Sequence, residues 1–249
     1  MGYVFDFKDA VAYEKWFEKR QNRFAFDMET RLMLKMLNPM RGASVIDIGC
    51  GIGANLLPLL ESGIEVTGVD PSPYMIDIAQ KKVGNRVDFH RCFAEDLPFE
   101  DNSFNYACLI TTLEFSEDPV KAIEEACRVA KDKLFIGILN KHAIKGIQIR
   151  VRGMFTETVY KHANLFSIWE IKQIIRDAVG KVPVSWKTVY HLPSVSGKLI
   201  SSIEEHSGLA RVSPFGSFAG IAVTLVPKYK TKSIPVFYRP ERAIGATES

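Results

Sequence analysis

Residues 45–53 read Val45-Ile46-Asp47-Ile48-Gly49-Cys50-Gly51-Ile52-Gly53, an apolar run of strand length that passes directly into three alternate glycines, with a helical pattern from about Ala54. Glycines at such a strand end let the backbone turn sharply and approach a ligand, and the free N–H groups at a helix start suit a negative ligand group. The stretch therefore reads as the strand–loop–helix unit of a nucleotide-cofactor site. On the loop alone, two cofactor classes stay open. Gly49, Gly51 and Ala54 also satisfy the dinucleotide pattern G-x-G-x-x-G/A, and Asp70 follows at a distance suited to a ribose contact.

Outward from this unit, apolar runs predict strands at 44–48, 65–69, 86–91, 104–110 and 133–139, alternating with helices at 53–62, 73–83 and 119–130. Such alternation implies a parallel doubly wound α/β sheet. Two helices, 9–20 and 23–38, precede it, with Tyr13, Trp16, Phe17, Phe24, Met28, Leu32 and Met36 among their apolar positions. Beyond it come helices at 142–153, 167–178 and 197–206 and strands at 182–191 and 217–226.

Four separated pieces of the chain resemble the class I S-adenosylmethionine-dependent methyltransferases, in particular the small-molecule branch that includes the ubiquinone/menaquinone methyltransferases. Asp47 before Gly49 gives D-x-G-x-G-x-G; Gly68-Val69-Asp70-Pro71-Ser72-Pro73-Tyr74-Met75 is similar to G-x-D-x-S-x-x-M. Ala94-Glu95-Asp96-Leu97-Pro98-Phe99 with Ser103-Phe104-Asn105 is close to A-E-x-L-P-F…S-F-D, and Leu113-Glu114-Phe115-Ser116-Glu117-Asp118-Pro119 leads into Glu124-Glu125-Ala126-Cys127-Arg128-Val129. Together they span about residues 43–140 in the family's order.

The resemblance implies a seven-stranded, mostly parallel sheet of order 3-2-1-4-5-7-6 with the last strand antiparallel, N-terminal helices and a helical lid insertion. The expected organisation is one methyltransferase domain over 1–226, with a helical cover at 1–40 and a lid at 141–165, followed by a basic tail at 227–249. S-adenosylmethionine is the implied cofactor. Backbone N–H groups from Gly49 through Cys50 and Gly51 to Gly53 suit its methionyl carboxylate. A strand-end carboxylate such as Asp70 can accept both ribose hydroxyls, although Asp70 could also serve as a helix cap, and Asp47 could organise the loop rather than touch ligand. Pro71 and Met75 would cover an adenine face and the loop of Ala94 and Glu95 its edge, while Ile110 and Thr111 stand at the corresponding fourth-strand end.

The chain departs from the family where many relatives carry a histidine after the fourth strand; that position is Phe115. Glu114, Tyr160 and His162 are the remaining polar candidates for a base, with His191 another, each weighed against a structural role. Phe93 stands where relatives often have an acid or Asn, and Asn105 replaces an acid. A sulfonium methyl needs an in-line nucleophile and a dry site, so positioning supplies much of the rate. The expected reaction is methyl transfer to a small apolar or aromatic acceptor. The alternatives are a non-catalytic cofactor-binding protein and a Rossmann-type NAD(P) oxidoreductase; against the latter, no Y-x-x-x-K pair occurs.

The chain has 249 residues, 47% hydrophobic and 24% charged, ample for one sizeable core. A net charge of +3 recommends no nucleic-acid partner. No membrane-span-length apolar run or signal pattern is read, so a cytoplasmic location is expected. Cys50, Cys92, Cys108 and Cys127 show no C-x-x-C, and neither disulfide nor metal is expected. Lys141, Lys145, Gln148 and Arg152 fall at helical spacing opposite Ile144, Ile147 and Val151. This basic amphipathic stretch reads as a solvated face, or as a lid facing an acidic acceptor or an anionic membrane surface. Oligomeric state is open.

Overall fold

The computed structural model describes residues 2–143, 163–189 and 214–226. Helices α1 (Phe7–Phe17) and α2 (Arg20–Leu37) lead into β1 (Ser44–Ile48), α3 (Leu56–Glu61), β2 (Glu65–Val69), α4 (Pro73–Val83), β3 (Asp88–His90), β4 (Phe104–Ile110), α5 (Pro119–Val129), β5 (Ala130–Leu139), α6 (Ile168–Val179), β6 (Val184–Val189) and β7 (Phe218–Thr224). The strands form one sheet of order 3-2-1-4-5-7-6. β1 to β5 pair in parallel, and β7 runs antiparallel between β5 and β6. The sheet order expected from the resemblance is the observed one.

Successive strand residues point to opposite faces, so each strand feeds two cores. Ile46, Ile48, Ala107, Leu109, Leu134 and Ile136 pack with Ile123, Ala126, Ile171 and Ile175 of α5 and α6. Val45, Val66, Cys108 and Phe135 face the other way, onto Met33 and Leu37 of α2, Leu56 and Leu59 of α3 and Ala79 of α4. Burial on both faces explains why the parallel strands read as near-continuous apolar runs.

Local chemistry sets the helix starts. Ser72 accepts the Met75 N–H at 3.3 Å with Pro73 first in α4, and Asp118 accepts the Val120 and Lys121 N–H groups, both at 3.0 Å, with Pro119 first in α5. Several expected boundaries shift: α1 starts at Phe7 rather than 9, α2 at Arg20 rather than 23 and β5 at Ala130 rather than 133. The helix placed at 53–62 begins only at Leu56, because Gly51 and Gly53 have φ of +52° and +74°, outside the right-handed helical region. β3 is also shorter than the expected 86–91.

No described helix is long and apolar enough to cross a membrane. Most of the expected lid, the helix at 197–206, the last residues of the strand at 182–191 and the tail at 227–249 lie outside the described residues.

Candidate functional site

Sheet order reverses between β1 and β4, and in open α/β sheets ligands gather at the carboxyl ends of the strands beside that point. A cleft of about 980 Å³, open solvent included, lies there. Its floor is Gly49, Cys50, Gly51 and Ile52 after β1, Asp70 and Pro71 after β2, and Ile110, Thr111 and Thr112 at the end of β4. Met75 from α4, and Phe93, Ala94 and Glu95 after β3, add one wall.

The glycine loop is built by inward bonds. Gly49 and Cys50 donate their N–H groups to the Val69 carbonyl at 2.7 and 2.9 Å, and Gly53 donates to Cys50 at 3.0 Å. Gly51 donates to Asp70 Oδ2 at 2.9 Å. Each of these four N–H groups has a partner inside the protein. Gly49 has φ +74°, and a Cβ there would stand 2.5 Å from the Thr112 side chain. That threonine is fixed by donating its Oγ1 hydrogen to the Ile48 carbonyl at 2.8 Å. At Gly51 a Cβ would meet nothing within 4 Å, so its missing side chain leaves room. Thr111 is held at φ +55°, costly for a β-branched residue, while its N–H bonds the Gly137 carbonyl at 2.8 Å.

Asp70 is 8% exposed, and its second oxygen accepts the Ser72 N–H at 2.9 Å. Burial raises its carboxyl to about 6, and the two backbone bonds pull the other way. Each oxygen has spent one acceptor position and keeps another.

Of the residues expected to hold cofactor, Gly49, Cys50, Gly51, Asp70, Pro71, Met75, Ala94, Glu95, Ile110 and Thr111 line the cleft together. Asp47 and Gly53 are not among its lining residues. Asp47 points with Val45 toward the helical layer of α2 and α3, 1% exposed, with Oδ2 unpartnered. Burial, reinforced by the Asp70 charge, lifts it to about 7. Gly53 instead packs on α4, where a Cβ would come within 2.9 Å of the Ala79 Cβ.

The base candidates fare differently. Glu114 is fully buried and is not a lining residue of the cleft; its Oε1 accepts the Leu139 N–H at 2.8 Å and its Oε2 has no partner. Burial raises it to about 7, the Leu139 N–H pulls it down, and the Glu29 charge adds a smaller push upward. Tyr160, His162 and His191 lie outside the described residues, as do Lys145 and Arg152 of the basic stretch. Lys141, its described member, is paired with Glu170 of α6 at 2.9 Å.

Sequence reasoning missed most of the second wall. Gly2, Tyr3 and Phe5 cross the cleft mouth: the Tyr3 N–H donates to the Phe115 carbonyl at 3.0 Å, and Ser72 Oγ donates to the Phe5 carbonyl at 2.7 Å. Phe5 packs edge-on against Phe115, with ring centroids 5.0 Å apart, and against Tyr13 at 6.5 Å. Phe26, Glu29, Ala54, Asn55 and Ser116 complete the lining. Trp16 of α1 is buried against the Tyr13 ring and is not a lining residue. The aromatic spacing of α1 was a usable signal; nothing in residues 2–5 announces where that segment crosses.

An aromatic roof, a small-residue loop and a strand-end carboxylate suit a cofactor with a flat base, a ribose and a compact charged tail. A family model described as a methyltransferase domain matches residues 46–136. An uncharacterized protein of Methanocaldococcus jannaschii is 33% identical over 189 residues, covering 75% of this chain and 85% of that protein. The demethylmenaquinone methyltransferase of Clavibacter sepedonicus is 32% identical over 95 residues, 37% of this chain and 39% of that enzyme. The crystal structure of a SAM-dependent methyltransferase of Thermotoga maritima, described as a possible histamine N-methyltransferase, is 28% identical and superposes with TM-score 0.67 over 88% of this chain and 96% of that one. With sheet order, glycine loop and cleft in agreement with these likenesses, the chain belongs to the S-adenosylmethionine-dependent methyltransferases.

Proposed function

We propose that the cleft holds S-adenosylmethionine with its ribose on Asp70, its adenine between Met75 and the Phe93–Glu95 loop, and its methionyl end against the turn from Gly49 to Ala54. The methyl is then passed to a small acceptor with an apolar or aromatic body. The observation that carries this reading is the Asp70–Gly51 bond, which joins the strand-end acid to the glycine loop at the sheet's switch point.

When bound, the cofactor supplies an electrophilic methyl on a sulfonium. The protein's own part is positioning and exclusion of water: Tyr3, Phe5, Tyr13, Phe26 and Phe115 surround the other half of the cleft with aromatic surface. Buried Glu114 supports the floor by holding Leu139 rather than acting as the base. We further infer a cytoplasmic site of action.

Calorimetry with S-adenosylmethionine, S-adenosylhomocysteine and NAD tests the assignment. The first two bind and NAD binds weakly or not at all. Asp70→Ala lowers affinity for both by about 2–4 kcal/mol, the value of two charge-assisted bonds with incomplete additivity. NAD binding without sulfonium binding, or an Asp70→Ala protein that binds like wild type, overturns it. Native mass spectrometry of the purified protein then searches for the acceptor.

A further inference from the structure

Three acids line the cleft. Asp70 receives the Gly51 and Ser72 N–H groups, and Glu95 Oε1 receives those of Glu117 and Asp118 at 2.9 and 3.3 Å, so both acids hold loops together. The third acid in the lining, Glu29, comes from a helix. Its charge acts on Glu114, whose carboxylate is fixed to Leu139 at the end of β5. Glu29 comes from the helix that packs on β5 and β7, on the other side of β1 from Asp70. Phe26 lies one turn before it on the same face of α2, and Tyr13, Phe5 and Phe115 are the neighbouring walls.

Among the described residues, this lining holds three carboxylates, Glu29, Asp70 and Glu95, and no Lys, Arg or His. An anionic acceptor would be repelled there. A cation gains from both the carboxylate and the ring faces. We propose that the acceptor half of the cleft is a subsite for an amine, with Glu29 holding its protonated nitrogen and the Tyr13, Phe26 and Phe115 rings around its carbon body.

This rests on the S-adenosylmethionine reading above and names its acceptor class. In the reaction the ammonium first gives one proton to the Glu29 carboxylate, which passes it to solvent. The nitrogen lone pair then forms the N–C bond to the methyl as the C–S bond breaks, its electron pair staying on sulfur. The products are the N-methylated ammonium, S-adenosylhomocysteine and one released proton, so charge and electrons balance.

The test is calorimetry of protein saturated with S-adenosylhomocysteine against phenethylamine, phenethyl alcohol and 3-phenylpropionate, probes that share a body and differ in charge. Phenethylamine is expected to bind at least about tenfold more tightly than either of the others. Glu29→Gln, close to isosteric, removes that preference and leaves S-adenosylhomocysteine affinity within about twofold. Phe26→Leu weakens all three probes and preserves the order. Equal or weaker binding of the amine, no amine binding at millimolar concentration, or an unchanged preference in Glu29→Gln overturns the amine subsite. If S-adenosylhomocysteine itself does not bind, the cofactor reading falls and the subsite falls with it; if it binds normally while the preference is missing, the acceptor assignment alone falls.

Discussion

The carboxylate of Asp70 and the backbone of Gly51 are one structural unit: Oδ2 accepts the Gly51 N–H at 2.9 Å across 19 residues of chain. The acid that ends β2 thereby sets the position of the loop that ends β1. Changes to either are expected to be felt at the other.

Two glycines of the loop should fail in different ways. Gly49→Ala forces a Cβ to within 2.5 Å of Thr112 at φ +74°, and is expected to cost about 2–4 kcal/mol of stability as well as cofactor affinity. Gly51→Ala carries only the φ penalty, about 1 kcal/mol, yet puts a methyl into open space on the cleft floor and should weaken cofactor binding about tenfold or more. Chemical denaturation and calorimetry on both variants separate the two effects. Equal stability losses would contradict the assignment.

Stability should depend on pH through three buried acids. Asp47, Asp70 and Glu114 are raised to about 7, 6 and 7, against ordinary values of 3.8, 3.8 and 4.5. The folded chain thus holds protons that the unfolded chain has released. Their contribution is fully present below about pH 4 and is lost as pH rises through about 7. Relative to wild type, an Asp47→Asn, Glu114→Gln double variant is expected to gain in melting temperature between pH 5 and pH 8. Parallel melting curves for the two proteins would refute this.

Arg128 should act as a clamp on the loop after β3, which carries the wall of Phe93, Ala94 and Glu95. Its Nε and Nη2 bond the two Glu125 oxygens at 2.7 and 2.8 Å, and its Nη1 and Nη2 donate to the Phe99 and Leu97 carbonyls at 2.7 and 3.0 Å. Arg128→Ala should cost about 1–3 kcal/mol, allowing for partial exposure. Arg128→Lys should recover less than half of that loss, because an ammonium cannot reproduce the fork. Urea titrations of the three proteins give the comparison.

The crossing at residues 2–5 should govern how fast cofactor leaves. Removing the Phe5 ring by Phe5→Ala opens the mouth without touching Asp70 or the glycine loop. The off-rate is expected to rise about tenfold while the on-rate changes little. Stopped-flow displacement of bound S-adenosylhomocysteine measures it, and an unchanged off-rate would make this segment mere packing.

The alternation of apolar strands and amphipathic helices was legible along the chain because it is local. β1, β2, β4 and α4 lie at their expected residues, since runs such as Val45–Ile48 and caps such as Ser72 with Pro73 act within a few positions. Ten of the twelve residues expected at the cofactor also line the cleft, because they sit at strand ends that a parallel sheet gathers on one edge. The helix start at Leu56 was misplaced, since apolar periodicity does not report the positive φ of Gly51 and Gly53.

What the amino-acid order determined by itself was the list of elements, their order in the sheet through the family likeness, and the loop and acid that face one another across it. The tertiary structure decided which side chains reach the cavity. Strand parity turns Asp47 away from the cleft toward the layer of α2 and α3, and the docking of α2 on the sheet brings Glu29 and Phe26 to the cleft. Two hydrogen bonds, to Phe115 and from Ser72, draw residues 2–5 across the mouth. Each depends on packing between segments distant in sequence, whose relative placement no local pattern encodes.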